Sequence, residues 1–328
     1  MPAAFCILAC VKKFVIIDGN AIVHRSYHAV PKTLHGPDGR LTNAVHGFTS
    51  ILLGILERER PDYLAVAFDM KGPTFRHETF SEYKGTRKKT DDELIAQFPM
   101  VREVLEAMNV PIFEKPGLEA DDYLGIVAKE VEEGNLNGEA AGPDSAPIQT
   151  VIVTGDQDAL QLVRDGVTVV TPLKGYTEVK VYDREAVKGK LGVWPEQVTD
   201  YKGLRGDSSD NIPGVPGVGE KTAVRLIEQF GSLEAIYERL KEVEPERIRG
   251  LLRDHEEDAR MSKEVATILT EDGDLDFDLA RCEMHDLEMD CVRDVFEKFA
   301  FRTLTGRVER LNRGWEKRRV EEQQVSLF

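Results

Sequence analysis

Three short apolar runs that each lead into aspartate constrain this chain more than any other feature. Phe14-Val15-Ile16-Ile17 meets Asp18, the run from Tyr63 to Phe68 meets Asp69, and Thr150-Val151-Ile152-Val153 passes through Thr154-Gly155 to Asp156 and Asp158. Runs without polar alternation are strands covered on both faces, as in a parallel sheet. Helical patterns separate them. One covers Val45 to Glu57; another opens with a capping-box pattern, Thr90 to Glu93, and continues through Leu94, Ile95, Phe98, Val101, Val104 and Leu105. The alternation predicts an α/β class with a mostly parallel central sheet flanked by helices. Ligands of such sheets bind outside the carboxyl ends of the strands, so Asp18, Asp69, Asp156 and Asp158 fall on one edge. Singly, each is equally a turn residue or a helix cap.

More acids follow. Glu119-Ala120-Asp121-Asp122 opens a helix expected from Tyr123 to Val131, and Gly206-Asp207-Ser208-Ser209-Asp210-Asn211 places Asp207 and Asp210 in a loop. Nine like charges cannot share a site without cations, because repulsion would protonate some of them. Hard oxygen ligands without His or Cys select Mg²⁺ or Mn²⁺ over zinc. Two such ions would suit hydrolysis of a phosphodiester. Discounting the nine from the net charge of -16 leaves -7, so acidity here does not exclude a nucleic-acid partner.

The 328 residues suffice for two domains. No apolar run approaches a membrane span, and Ala3 to Val11 lacks the basic leader of a secretory signal, so the expectation is a cytoplasmic protein without a membrane partner. Cys6, Cys10, Cys282 and Cys291 show no metal spacing, which predicts free thiols without zinc or disulfide. Gly134 to Pro147 reads as a surface loop, and after Trp194 strand signals give way to an all-α region. Residues 71–89 carry six Lys/Arg and two Glu around Phe75, Phe80 and Tyr83; composition leaves a mobile basic loop, a solvated face and a binding element all open. Gly214-Val215-Pro216-Gly217-Val218-Gly219 lies between helical segments without a preceding strand, so it is no dinucleotide fingerprint. Residues 271–290 carry nine acids and one Arg, and residues 302–319 reverse this with seven Lys/Arg against two Glu.

The ordered set of motifs resembles the 5′-nuclease family, which includes the N-terminal nuclease domain of bacterial DNA polymerase I and the flap endonucleases. The matching pieces are Ile17-Asp18-Gly19-Asn20, Ala67-Phe68-Asp69, Phe75-Arg76, Glu82-Tyr83-Lys84-Gly85-Thr86-Arg87, Glu119 to Asp122, Gly155-Asp156-Gln157-Asp158, Gly206 to Gly214 and Val215 to Ala223, spanning roughly residues 13 to 300. The resemblance implies a PIN-like core with two Mg²⁺ (Mn²⁺ substituting) held by Asp18, Asp69, Glu119, Asp121, Asp122, Asp156, Asp158, Asp207 and Asp210. It implies a helical arch over about 71–92, in which Lys84 and Arg87 contact the scissile phosphate, Tyr83 stacks on an unpaired base and Arg76 holds phosphate. It makes 214–219 a helix–hairpin–helix turn, where Gly217, Gly219, Lys221 and Thr222 hold duplex backbone and K⁺ finds carbonyl ligands. The expected substrate is branched DNA with a 5′ flap or nick, cut in Okazaki-fragment maturation and repair.

The expected organisation is an extension at 1–12, a nuclease core at 13–193, a helix–hairpin–helix region at 194–300 and a basic tail at 301–328. The last residues, Gln324-Val325-Ser326-Leu327-Phe328, resemble the Gln-x-x-Leu-Phe peptide that binds the bacterial sliding clamp, with Gln324, Leu327 and Phe328 as contacts. Taken together these features predict a standalone, monomeric 5′ nuclease. Its rivals are a non-catalytic DNA-binding module, which would show gaps among the nine acids, and a small PIN-type ribonuclease, which would lack the arch and hairpin.

Overall fold

Strand β1 (Lys12–Asp18) lies inside a six-stranded sheet, with its apolar residues fully buried. The computed structural model describes residues 11–136, 139–140, 147–271, 275 and 277–325, with the C-terminal side chains described as far as Trp315. The remaining strands are β2 (Tyr63–Ala67), β3 (Ile112–Phe113), a small separate hairpin β4 (Asn135–Leu136) and β5 (Glu139–Ala140), then β6 (Ile148–Val153), β7 (Val167–Lys174) and β8 (Glu178–Tyr182). The sheet order is β3-β2-β1-β6-β7-β8, parallel throughout except for β8, which pairs antiparallel to β7. β1 pairs in register with β2 on one side (Asp18 opposite Ala67) and β6 on the other (Ile17 opposite Val153).

The parallel α/β core is thus as the apolar runs predict, and three strands escaped them. β3 is two residues long, and in β8 exposed and buried positions are mixed, as at the edge of a sheet. Helices cover both faces. Val15, Ile17, Leu64 and Val66 face helices Gly19–Ala29, Asn43–Glu59 and Phe98–Ala107; Phe14, Ile16, Ala65 and Ile152 face helix Ala120–Glu132. The capping box expected at Thr90 does not form. Asp91 takes the cap position of a four-residue helix, Asp92–Ile95, and the chain re-enters a helix at Phe98. Pro99 enforces the break by removing an amide, and buried Gln97 fills it, accepting from Ala44 N at 2.8 Å. The segment expected to be a helical arch is one short helix, Phe75–Thr79, followed by turns through Thr86. Gly85 and the like charges at Lys84, Arg87, Lys88 and Lys89 disfavour a longer helix.

Beyond Trp194 the structure is helical. Helices Val198–Arg205, Glu220–Phe230, Leu233–Glu238, Glu246–Asp254 and Glu256–Ala266 pack around Leu204, Leu226, Ile227 and Leu233, in an apolar cluster continuous with one face of the sheet. The chain then returns to the first half. Helices Met289–Lys298 and Arg302–Val325 place Val292, Phe296, Leu304 and Val308 on the opposite face, beside Phe48 and Leu52. Arg307 forks onto Glu57 (2.7 and 2.8 Å) and donates to Ser50 O. The first turns of the basic segment are therefore packed against the core rather than hanging as a tail. Residues 1–10, most of the loop expected at 134–147, and Ser326 to Phe328 with Leu327 lie outside the described residues. Among the described residues no helix is long and apolar enough to cross a membrane.

Candidate metal centre and nucleic-acid interface

The chain reverses direction across the sheet between β1 and β6: from β1 it proceeds outward to β2 and β3, then returns to place β6 on the other side of β1. That switch point leaves a crevice at the carboxyl ends of the two strands. Asp18 ends β1 and Asp156 follows β6. With Asp69, Glu119 and Asp121 they line a cavity of about 220 Å³ whose wall also carries Lys84, Arg87 and His24. Asp156 lines a second, adjoining cleft of about 900 Å³ as well, together with Asp158 and Asp207.

The acids are held by specific donors. Asp18 caps helix Gly19–Ala29 through Ala21 N (2.8 Å), and its second oxygen accepts from buried Thr154 Oγ1 (2.7 Å). Asp69 accepts from Ala120 N and from Asn20 Nδ2, each at 2.7 Å. Asp121 is different. Its Oδ1 is buried without a hydrogen-bond partner, and burial followed by the charges of Asp156, Asp18 and Asp158 pushes its carboxyl well above the usual range. Burial likewise raises Asp18 to about 7, and Asp158 to about 7 against the opposing pull of Lys202. Asp69 is raised by burial too. A buried, orphaned carboxylate oxygen among like charges lacks a partner of its own, and a hard divalent cation supplies one. The donor set therefore fits such an ion.

Asp122 does not join this set. It is fully buried, facing away from the cavity, with Arg76 Nη1 and Nη2 forked onto its two oxygens (2.8 and 2.7 Å) and Leu269 N and Glu119 N completing its acceptance. The Glu119–Asp122 pair forms a capping box on helix Ala120–Glu132. Four donors fill Asp122, so its expected place as a metal ligand becomes a structural one. Arg76 is corrected with it. Only 3% exposed, it also donates to Val265 O and Thr267 O, so its guanidinium faces the protein interior and not a phosphate.

Tyr83 is also turned inward. Its hydroxyl lies 3.1 Å from both Glu119 Oε2 and Asp210 Oδ2, and its ring packs edge-on against His77, leaving no open face for a base. Lys84 occupies the left-handed region at φ 55 and meets Glu119 at 2.8 Å; Arg87 meets Asp210 at 2.5 Å. A non-glycine residue held there is strained, and such strain persists where surrounding contacts over-determine it. Two expected phosphate-contacting cations thus stand among the acids. A third was not anticipated: Lys202, almost buried on helix Val198–Arg205, bridges Asp158 and Asp207 (2.7 Å to the latter). Although burial opposes its charge, Asp158 and Asp207 raise Lys202 further, and Lys202 with Ser209 brings Asp207 down to about 2 against its own burial. A lysine beside Tyr201 and Leu204 on the buried face of a helix was the available signal. Thr154 and Asn20 gave none, being ordinary polar residues next to acids. Among the described residues no three His, Cys, Asp or Glu side chains are drawn together so that they could hold a metal as they stand. Lys84, Arg87 and Lys202 stand between the acids and compensate their charge, which accounts for that spacing.

The hairpin lies on the same loop as Asp207 and Asp210. Val215 and Val218 are buried, whereas Gly217 (φ 88), Gly219 and Lys221 are exposed and Thr222 is half-buried. Gly219 caps helix Glu220–Phe230 without a side chain, so the helix amides face solvent, a geometry suited to phosphate.

Two adjoining family models match the chain: the 5′-3′ exonuclease N-terminal resolvase-like domain over residues 13–192, and the 5′-3′ exonuclease C-terminal SAM fold over residues 193–290. The chain belongs to the 5′-3′ exonuclease family. It is 42% identical to DNA polymerase I of Bacillus subtilis over 297 residues, which is 90% of this chain and 32% of the polymerase. It is 44% identical to DNA polymerase I of Caldicellulosiruptor bescii over 259 residues, 78% of this chain and 29% of that protein. The chain thus spans about a third of these relatives. The T5 D15 protein co-crystallized with metal ions shares the fold, with TM-score 0.64 and 19% identity, covering 92% of this chain and 100% of that one. The Rad2 catalytic core in complex with DNA substrate does so too, with TM-score 0.57 and 16% identity over 92% and 91%.

Two outcomes follow for this family member. Arg76→Met leaves Asp122 buried and unpaired, and should cost about 3–5 kcal/mol in urea unfolding; unchanged stability with weakened DNA binding would instead return Arg76 to a phosphate. A divalent cation should raise the thermal midpoint more at pH 8 than at pH 6. At pH 6 Asp18 and Asp158, with values of about 7, hold protons that the cation must displace, and at pH 8 they do not. An equal rise at both values in scanning calorimetry would count against these two acids as its ligands.

Proposed function

We propose that the chain is a structure-specific 5′ nuclease, with 5′-flap endonuclease and 5′→3′ exonuclease activities, that hydrolyses DNA phosphodiesters with two Mg²⁺ ions in Okazaki-fragment maturation and repair. The observation that carries this reading is the buried carboxylate set at the switch point, with Asp121 Oδ1 orphaned and Lys84 and Arg87 standing over it. Asp18, Asp69, Glu119, Asp121 and Asp156 would hold one ion and Asp158, Asp207 and Asp210 would contribute to a second, with Mn²⁺ able to substitute. When bound, such ions activate water and stabilise the leaving oxygen.

The remaining work falls to the chain. Thr154 and Asn20 keep Asp18 and Asp69 in single orientations, so little reorganisation is needed at the moment of reaction. Lys84 and Arg87 exchange their carboxylates for the non-bridging oxygens of the scissile phosphate, where negative charge grows. The exposed amides at Gly217 and Gly219, with Lys221 and Thr222, seat the duplex backbone, and K⁺ is the fitting monovalent ion for the turn's carbonyls. Contacts of this kind read no bases, so recognition is of a junction rather than a sequence. The products are a 5′-phosphate and a 3′-hydroxyl. The protein acts as a monomer on branched DNA in the bacterial cytoplasm.

Cleavage of an end-labelled 5′-flap duplex at the junction in Mg²⁺, lost in EDTA and in Asp69→Ala, is the expected result; tight flap binding without cleavage in Mg²⁺ or Mn²⁺ would leave a binding module. Lys84→Ala should slow single turnover by about 10²-fold while changing flap affinity little. The peptide Gln324 to Phe328 is proposed to dock on the sliding clamp, Leu327 and Phe328 filling an apolar pocket. Deleting Val325 to Phe328 should abolish clamp binding in a pull-down and leave cleavage of free DNA intact, and undiminished clamp affinity would remove the idea.

A further inference from the structure

The turn that carries Lys84 and Arg87 is fastened chiefly to the helical second half of the chain. Phe80 and Tyr83 share a small apolar cluster with Ile212, Met261, Val265 and Ala266, separate from the two larger clusters that flank the sheet. Lys84 N–H donates to Asp210 O (2.9 Å), Asn211 Nδ2 donates to Glu82 O (2.8 Å), and Arg87 meets Asp210 Oδ1. Among the described residues, the side chains of Tyr83 and Lys84 tie this turn to Glu119 of the first half.

The loop that supplies Asp210 and Asn211 is a stiff ring. Asp207 and Ile212 exchange N–H···O bonds of 2.8 Å in both directions. Its ends touch: a Cβ on Gly214 (φ +60) would lie 2.2 Å from the Gly206 nitrogen, so no side chain fits there. Ser262 Oγ accepts the Gly214 amide at 3.0 Å and ties the ring to helix Glu256–Ala266. Asn211 sits in this ring at φ 61, a conformation that asparagine tolerates better than most residues. From Gly214 the backbone runs without a break into the hairpin at 215–219.

We propose that Asn211 is a positioning residue, which locks the turn at 82–87 to the ring and so sets a fixed distance between the hairpin and the cations Lys84 and Arg87. This rests on the nuclease reading above. A duplex seated on the hairpin then places one phosphodiester, at a set distance from the duplex, under the two cations, and the position of the cut is a property of the protein rather than of the DNA sequence. Orientation of this kind is lost steeply when the holding group loosens.

Asn211→Gly tests this, because glycine takes the same φ without strain and only the amide is removed. Two readouts separate the tie from the chemistry. Hydrogen exchange at the Lys84 amide, read by NMR in the full chain without DNA, should quicken about fivefold, the factor of one hydrogen bond of average strength, with the thermal midpoint unchanged. On an end-labelled flap in Mg²⁺, single turnover should slow by a similar factor, KM should hold, and the single cut should spread over neighbouring phosphodiesters. In a Lys84→Ala background, Asn211→Gly should slow turnover less than in the wild type, leaving only the part that acts through Arg87. Wild-type exchange at Lys84 would show that the Asn211 bond does not hold the turn, and would overturn its positioning role. Faster exchange with an unchanged cut position and rate would reduce Asn211 to a structural residue. Absence of flap cleavage by the wild-type protein would sink the nuclease reading and the positioning role with it, while exchange would still report the tie itself.

Discussion

Burying like charges at one point of a sheet is the constraint on which the rest of this structure turns. Asp18 is buried and Asp121 and Asp158 are partly buried, and each is pushed toward its protonated form. Repulsion among charges at such spacing grows as the surroundings dry. The fold meets this in two ways. It sends basic side chains from two separate segments into the cluster, Lys84 and Arg87 from the turn after the short helix and Lys202 from the second half. It also leaves one oxygen, Asp121 Oδ1, with no protein donor at all. The same arrangement explains why the two halves of the chain stay together: Lys202 holds Asp158 of the first to Asp207 of the second, and Tyr83 holds Glu119 to Asp210.

One short stretch shows how helix geometry divides labour among identical groups. Glu119, Asp121 and Asp122 stand within four residues at the start of helix Ala120–Glu132. Successive positions on a helix point about 100° apart, so Asp121 enters the cavity while Asp122 enters the interface with Ile268 and Leu269, where Arg76 meets it. Asp122 is buried with four donors, whereas Asp121 Oδ1 is buried with none. That difference separates a carboxylate that supports the fold from one whose oxygen the protein leaves without a donor.

The net charge of the chain says little about its partners for a related reason. Several acids are internal to the candidate site, and several arginines are internal to the fold, Arg76 on Asp122 and Arg307 on Glu57 among them. The proposed nucleic-acid partner would meet the local surface: the wall of the large cleft carries Arg25, Lys190 and Arg205, and the hairpin presents amides beside Lys221.

The sequence by itself determined the parallel core, the edge on which the strand-end aspartates lie and the helical second half, because apolar period and strand-end position are local properties of a chain; of the nine acids it singled out, seven line the cavities, Asp210 lies beside them and Asp122 stays apart. It also carried the family's ordered motifs. Only the tertiary structure decided which carboxylate is capped and which is orphaned, that Arg76 and Tyr83 turn inward, that Lys202 bridges two halves, and that helices Met289–Lys298 and Arg302–Val325 return to the first core. Those outcomes depend on partners far away in sequence, such as Arg76 with Thr267 or Glu57 with Arg307. Hydrogen bonds and ion pairs form between whichever groups the fold brings within reach, and no local pattern in the chain encodes that proximity.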